Sequence, residues 1–235
     1  MTGEEGERRH SKALEPELIK DPKLKAEAEA ANGLRQYDFA VQAVQTAIER
    51  QPFRLRLSLI LSLQREALQG ISAYAGLFRP GDVKIQHSKH VPPGAHMVPE
   101  LVEDLCEYVN DHWEASSPIH LAAYVMWRLN WIHPFADGNG RTSRILSFFV
   151  LFARLGALLP GTPTLPDLII DHRDLYEAAL DDADEACRQG KLDVSKMEHL
   201  VEALLAKQLA RVYELAAGKA VLGGVVSGKA DEKTI

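Results

Sequence analysis

Residues His133 to Arg144 read His-Pro-Phe-Ala-Asp-Gly-Asn-Gly-Arg-Thr-Ser-Arg. This run constrains the chain more than any other, because it reads as one tight turn opening into a helix start. Gly138 and Gly140 let backbone approach an anion closely, and the helix that follows aims its unpaired N–H groups and the positive end of its dipole at the same point. Asp137 is a candidate Mg²⁺ ligand and Asn139 a candidate donor to a phosphate oxygen. Arg141 and Arg144, three apart, lie on the first helical turn, where both can grip phosphate as planar forks. His133 is the one side chain here that takes a proton near neutral pH. Together these residue types suit a nucleotide polyphosphate.

The rest of the composition narrows the class. A chain of 235 residues with 46% apolar content can bury one good-sized core. Its formal net charge of −6 leaves no basic stripe to replace counterions on a nucleic acid. The most apolar run, Ile145 to Ala153, is interrupted by Arg154 and is too short to span a bilayer. Cys106 and Cys187 sit far apart inside helical patterns, which fits two thiols in a reducing compartment better than a disulfide framework. The charged start from Met1 to Lys12 lacks the apolar core of a secretory signal. A cytoplasmic protein with no membrane and no nucleic-acid partner is expected.

Helical periodicity covers most of the chain. The spacing predicts helices over Leu34–Arg50, ending before Pro52, and over Phe53–Gln69, ending at Gly70. Leu101, Leu105, Tyr108, Val109 and Trp113 form an apolar stripe after Pro99; Leu121, Tyr124, Val125, Leu129 and Ile132 form another after Pro118. Further helices are expected over Arg141–Leu155, Asp171–Gln189 and Asp193–Ala216, the last two opened by a capping Asp. Residues Asp82 to Met97 differ. Val83-Lys84-Ile85 alternates and Pro92-Pro93-Gly94 breaks the chain, so this segment is a short hairpin or extended flap with an open edge. Its three histidines, His87, His90 and His96, lack the Cys or carboxylates of a tetrahedral zinc site and are expected to be exposed polarity. Residues 223–230 nearly spell a P-loop, but Ala230 stands where a Mg²⁺ ligand is needed.

The 133–144 run resembles the signature of the Fic family, His-x-Phe-x-Asp/Glu-Gly-Asn-Gly-Arg-x-x-Arg, with every fixed position filled. Gly76-Leu77-Phe78-Arg79, Val83-Lys84-Ile85, Val91-Pro92-Pro93 and Leu175-Tyr176-x-x-Ala179-Leu180 extend the resemblance over about Leu55 to Gln189. It implies an all-α, Fic-like helical bundle with a short β-hairpin flap, and an enzyme transferring AMP from ATP to a Tyr, Ser or Thr hydroxyl of a target protein. In that reading His133 is the general base and Asp137 holds Mg²⁺. Gly138, Asn139, Gly140, Arg141 and Arg144 bind the phosphates, Tyr176 is a candidate for the adenosine end, and Val83, Lys84 and Ile85 pair with an extended target segment. Relatives that use the same loop to move phosphate or another nucleotide moiety, or to remove AMP, give the alternative. A catalytically silent nucleotide-binding interaction protein is a third reading, and an inhibitor protein is a candidate partner. Oligomeric state is not legible.

Two departures from the family pattern stand out, the first bearing on the subgroup and the second on regulation. Met126 and Asn130 stand where many members carry His and Glu. A self-inhibiting member would carry Ser/Thr-x-x-x-Glu-Gly/Asn. Ser11 to Glu15 has that spacing but is followed by Pro16, while Glu29 precedes Asn32-Gly33 without the Ser. Glu27 and Glu29 are therefore candidate inhibitory carboxylates, expected to pair with Arg144. The chain divides accordingly into a charged tail and regulatory helix (1–33), a helical catalytic domain (34–217) and a tail (218–235).

Overall fold

The structure, a computed structural model, describes residues 11–12 and 18–217. Among the described residues eight α-helices carry the fold: α1 Pro22–Glu49, α2 Leu57–Leu68, α3 Val98–Asp111, α4 Pro118–Ile132, α5 Asn139–Leu155, α6 Leu165–Asp171, α7 Arg173–Arg188 and α8 Ser195–Ala216. Two short strands, β1 Ser11–Lys12 and β2 Lys84–Ile85, and a 3₁₀ turn at Ala95–Met97 complete it. The fold is all-α. The Ser11–Glu15 spacing lies outside the described residues except for the backbone at 11–12, and the P-loop-like run at 223–230 lies wholly outside them.

The centre is α4 packed on α5. Ser117 caps α4 by accepting from the His120 N–H at 3.0 Å, with Pro118 pre-set at the first helical position. From Leu121 to Trp127 every residue of α4 is buried, and from Ile145 to Ala153 every residue of α5 is. Both helices are therefore enclosed on all sides rather than laid on a surface, as all-round apolarity requires. Gly156 ends α5 in the left-handed conformation with its N–H on the Phe152 carbonyl. No helix among the described residues is long and apolar enough to cross a membrane.

α1 runs unbroken through the boundary expected at 33/34, and its start lies twelve residues before Leu34. Asp21 caps it, accepting from Lys23 and Leu24 N–H groups at 2.8 and 3.0 Å. Asn32-Gly33 does not end it, because the buried Asn32 amide donates to the Ala67 and Gln69 carbonyls at 3.3 and 2.9 Å. Those are final carbonyls of α2 with no partner of their own helix, so Asn32 ties α1 across α2's end. At the other end, Asp171 closes α6, a helix separate from α7, instead of opening α7; Asp193 does sit at the start of α8, accepting from Ser195 N–H at 3.0 Å.

The flap also differs from a self-contained hairpin. Lys84–Ile85 pairs antiparallel with Ser11–Lys12, in the register Ser11 with Ile85 and Lys12 with Lys84. Its expected open edge thus carries the chain's own early residues. Cys106 and Cys187 are unpaired thiols, and burial pushes the Cys106 thiol up to about 12.

Candidate active site

His133 follows the last residue of α4 in the left-handed conformation, φ 52° and ψ 56°, a region that non-glycine residues seldom occupy. The geometry is held from several sides. The His133 N–H still bonds to Leu129 at 2.9 Å, its carbonyl accepts from Arg79 Nε at 2.9 Å, and its Nδ1 lies 3.2 Å from the Asn130 carbonyl. A carbonyl only accepts, so the Nδ1 contact puts the proton on Nδ1 and makes Nε2 the basic nitrogen. Burial lowers the imidazole from its ordinary 6.5 to about 4; the Asn130 hydrogen bond and Asp137 oppose that, while His90 and Arg79 add to it. At neutral pH His133 is an uncharged acceptor.

The loop after it closes on itself. Asn139 accepts from the Phe135 N–H and donates to the Phe135 carbonyl, both at 2.9 Å, with Phe135 fully buried beneath. Asn139 thus braces the loop through these two bonds while also lining the cavity. Gly138 sits at φ 81° as the cap of α5, and a Cβ there would meet Leu68 Cδ2 at 2.5 Å. Only glycine satisfies both limits. The first-turn N–H groups of α5 consequently open onto a cavity of about 890 Å³, lined by Gly138, Asn139, Gly140, Arg141 and Arg144 together with His133 and Asp137.

Charge in this cavity is mixed. Arg141 pairs with Asp137 at 3.0 Å and with Glu29 of α1 at 3.6 Å. Asp137 also accepts from the Gly138 N–H. Burial lowers the Arg144 guanidinium; adjacent Tyr176 raises it, and Arg141 and Arg173 lower it further. Arg173, paired with Glu177 at 2.8 Å, lines the cavity with Arg141 and Arg144, and three guanidiniums on one cavity favour a multiply charged anion.

Tyr176, buried on α7, accepts through its hydroxyl from Asn130 Nδ2 at 2.8 Å and lies 3.3 Å from Ser143 Oγ. Asn130 also reaches Ser143 Oγ at 2.7 Å, so it links the helix before His133 to α5 and α7. On the opposite wall stands the flap. Ile85 lines the cavity, Lys84 is exposed and Val83 is buried, so Val83 anchors the flap from beneath. The buried Arg79 fastens it: besides His133, its guanidinium donates to Gly81 at 2.9 Å and to the Pro93 carbonyl, and its N–H donates to Pro134.

Residues 54–151 match the family described as Fic/DOC. This span contains the flap and the complete 133–144 loop. Over these residues the chain is similar to the Fic/DOC family. The chain is 34% identical over 111 residues to the protein adenylyltransferase Fic of Drosophila persimilis, a match covering 46% of this chain and 21% of the relative. It therefore spans about a fifth of the length of that curated relative. Among solved structures it resembles Fic-1 of C. elegans, with 21% identity, a TM-score of 0.66 and coverage of 86% of this chain and 55% of that one. It also resembles BepC of Bartonella tribocorum, solved with bound AMPPNP, with 17% identity, a TM-score of 0.51 and coverage of 79% and 88%. At these identities the two structures speak for the fold.

The Fic fold brings most of the expected residues together. His133, Asp137, Gly138, Asn139, Gly140, Arg141, Arg144, Tyr176, Ile85 and Glu29 all line one cavity. Glu27 is exposed and off its wall, two positions from Glu29 and so on another face of α1. Glu29 pairs with Arg141 rather than with the expected Arg144. His90 is a further difference: it is half-buried, its Nε2 donates to the Trp131 carbonyl at 2.7 Å, and its Nδ1 lies 3.7 Å from Asp184 of α7. Asp184 also accepts from Trp127 Nε1 at 2.9 Å. Arg173 and Asp184 were not singled out from the sequence, where a basic or acidic residue on a polar helix carries no signal of its own.

Proposed function

We propose that this Fic domain transfers AMP from ATP to a hydroxyl of a protein. The observation that carries the reading is the buried His133, fixed with Nδ1 protonated, in the same cavity as the α5 N-terminus and the Arg141 and Arg144 guanidiniums. The adenylyltransferase name of the Drosophila relative and the AMPPNP held by BepC support it.

In this reading the triphosphate lies across the N-terminus of α5. Arg144 and Arg141 bind its terminal phosphates, and the N–H groups beyond Gly138 stabilise charge developing at the α-phosphorus. The target hydroxyl oxygen attacks the α-phosphorus, the bond from that phosphorus to the bridging oxygen breaks, and pyrophosphate leaves. The hydroxyl proton passes to His133 Nε2, a contribution typically worth about 10²- to 10⁴-fold. Asp137 would hold Mg²⁺. Among the described residues no group of three or more metal-ligating side chains gathers there, which suits an ion bound mainly through substrate phosphates and water. Bound there, the ion would neutralise the leaving phosphates. Tyr176, with its hydroxyl committed to Asn130, would present its ring edge toward the nucleoside, and the flap would pair with the target's backbone.

Glu29 on Arg141 favours a restrained resting state of the same enzyme, since a carboxylate and a phosphate compete for one guanidinium. Parallel incubations with ATP labelled on the α- or the γ-phosphate test the reaction class. Protein should acquire the α label alone and only with Mg²⁺; label from the γ position would assign phosphate transfer instead.

A further inference from the structure

We propose that the flap edge at Lys84–Ile85 is a docking surface whose resting occupant is the chain's own residues 11–12, and that an extended protein segment reaches the cavity by displacing them. This rests on the reading of the flap as the target's pairing site. The backbone register pairs Ser11 with Ile85 and Lys12 with Lys84. Ile85 is on the cavity wall with Ser88 and His90, while Val83 is buried and the flap's base is held by Arg79. The paired edge is thus fixed in place at the mouth of the cavity that holds His133.

A backbone N–H or carbonyl committed to one strand is not available to a second on the same edge. Main-chain pairing is tolerant of sequence, so the segment that fills the edge in cis and one that arrives in trans compete for identical groups. Two residues form a ladder of a few main-chain bonds at most, a weak hold by itself. Tethering compensates: residues 13–21 join Lys12 to the start of α1, which keeps the segment at high effective concentration beside the flap. The arrangement gives an edge that is covered at rest and exchangeable on encounter. It also answers the liability of a bare strand edge, which would otherwise template pairing with any chain.

The test uses the full chain and needs no ATP, so its outcome is separable from that of AMP transfer. Replacing Ser11→Pro and Lys12→Pro together removes both N–H groups of the occupant. The amides of residues 84–86 should then exchange hydrogen roughly tenfold faster or more than in the parent. A fluorescein-labelled synthetic peptide with the sequence of residues 9–14 should bind the double variant about tenfold tighter than the parent. From the other side, Lys84→Pro should speed exchange at the amides of residues 11–12 and abolish the peptide's gain in the double-variant background. Unchanged exchange at residues 84–86, equal peptide affinity for parent and double variant, or full peptide binding in the presence of Lys84→Pro would each overturn the proposal. Far-ultraviolet circular dichroism matching the parent establishes that the helices are intact in every variant.

Discussion

Glu29 on α1 lies 3.6 Å from Arg141 on α5, placing a carboxylate from outside the signature loop on a guanidinium inside it. Both side chains are partly exposed, so the pair adds little to stability, about 0.2–1 kcal/mol at most. In the proposed reading its effect falls on the ligand, because Arg141 would have to leave Glu29 to engage phosphate fully. Glu29→Gln should raise self-labelling by ATP several-fold and tighten ATP binding, while Glu27→Gln, on another face of α1, should change neither. Equal activity in both variants would show that Glu29 does not restrain the site.

The lowered basicity of His133 sets the pH response. In the free protein the imidazole titrates near 4 rather than 6.5, so kcat/KM for ATP should stay flat through pH 6.5 and fall only as pH approaches 4. The stability sign is the same. Between 6.5 and 4 the unfolded chain binds the proton that the folded chain refuses, so stability present above 6.5 is lost as pH falls through this window, by about 3 kcal/mol in all. His133→Asn, which tolerates the left-handed backbone, should lose about 10²- to 10⁴-fold in rate with ATP affinity kept, and flatten the stability profile. A rate that falls with a midpoint near 6.5 would contradict the burial argument.

Arg79 joins the flap to His133. Arg79→Met would leave the His133, Gly81 and Pro93 carbonyls short of a donor in buried or half-buried surroundings. Leaving these carbonyls without their charged donor costs about 1–3 kcal/mol for each buried group, or about 3–5 kcal/mol together. Thermal unfolding should shift down by roughly 6–20 °C, with transfer lost more completely than ATP binding. An unshifted midpoint would show that the guanidinium does not brace the flap.

Gly138 is bound by two separate limits, its φ of 81° and the 2.5 Å approach to Leu68. Gly138→Ala should lose about 1–3 kcal/mol and weaken ATP binding. In denaturant unfolding, Leu68→Ala alone should cost about 2–5 kcal/mol because Leu68 is fully buried, and the double variant should lose less than the sum of the two, since the truncation relieves the clash but not the backbone strain. Strict additivity would remove Leu68 from the explanation.

The loop and its two flanking helices were legible in the sequence for a local reason. His133 to Arg144 supply their own turn chemistry, and α4 and α5 are apolar on all sides. What escaped depends on contacts far apart in the chain. Asn32-Gly33 carries a stop signal, yet α1 continues because Asn32 finds the terminal carbonyls of α2. The partner of Glu29 turned on where α1 crosses α5, so a carboxylate could be nominated but the choice between Arg141 and Arg144 could not. His90 read as exposed flap polarity because only the fold places the Trp131 carbonyl and Asp184 beside it. The flap's pairing partner comes from residues 11–12, a run with no strand pattern of its own.

The central claim, that this cavity transfers AMP to protein with His133 as base, is tested most directly by intact-mass spectrometry of the Glu29→Gln protein incubated with ATP and Mg²⁺. The account predicts a mass gain of one AMP residue per modified hydroxyl, pyrophosphate released in equal amount, and no gain in the same protein carrying His133→Asn. A gain of a lone phosphate, or an undiminished AMP gain in the His133→Asn protein, would contradict it.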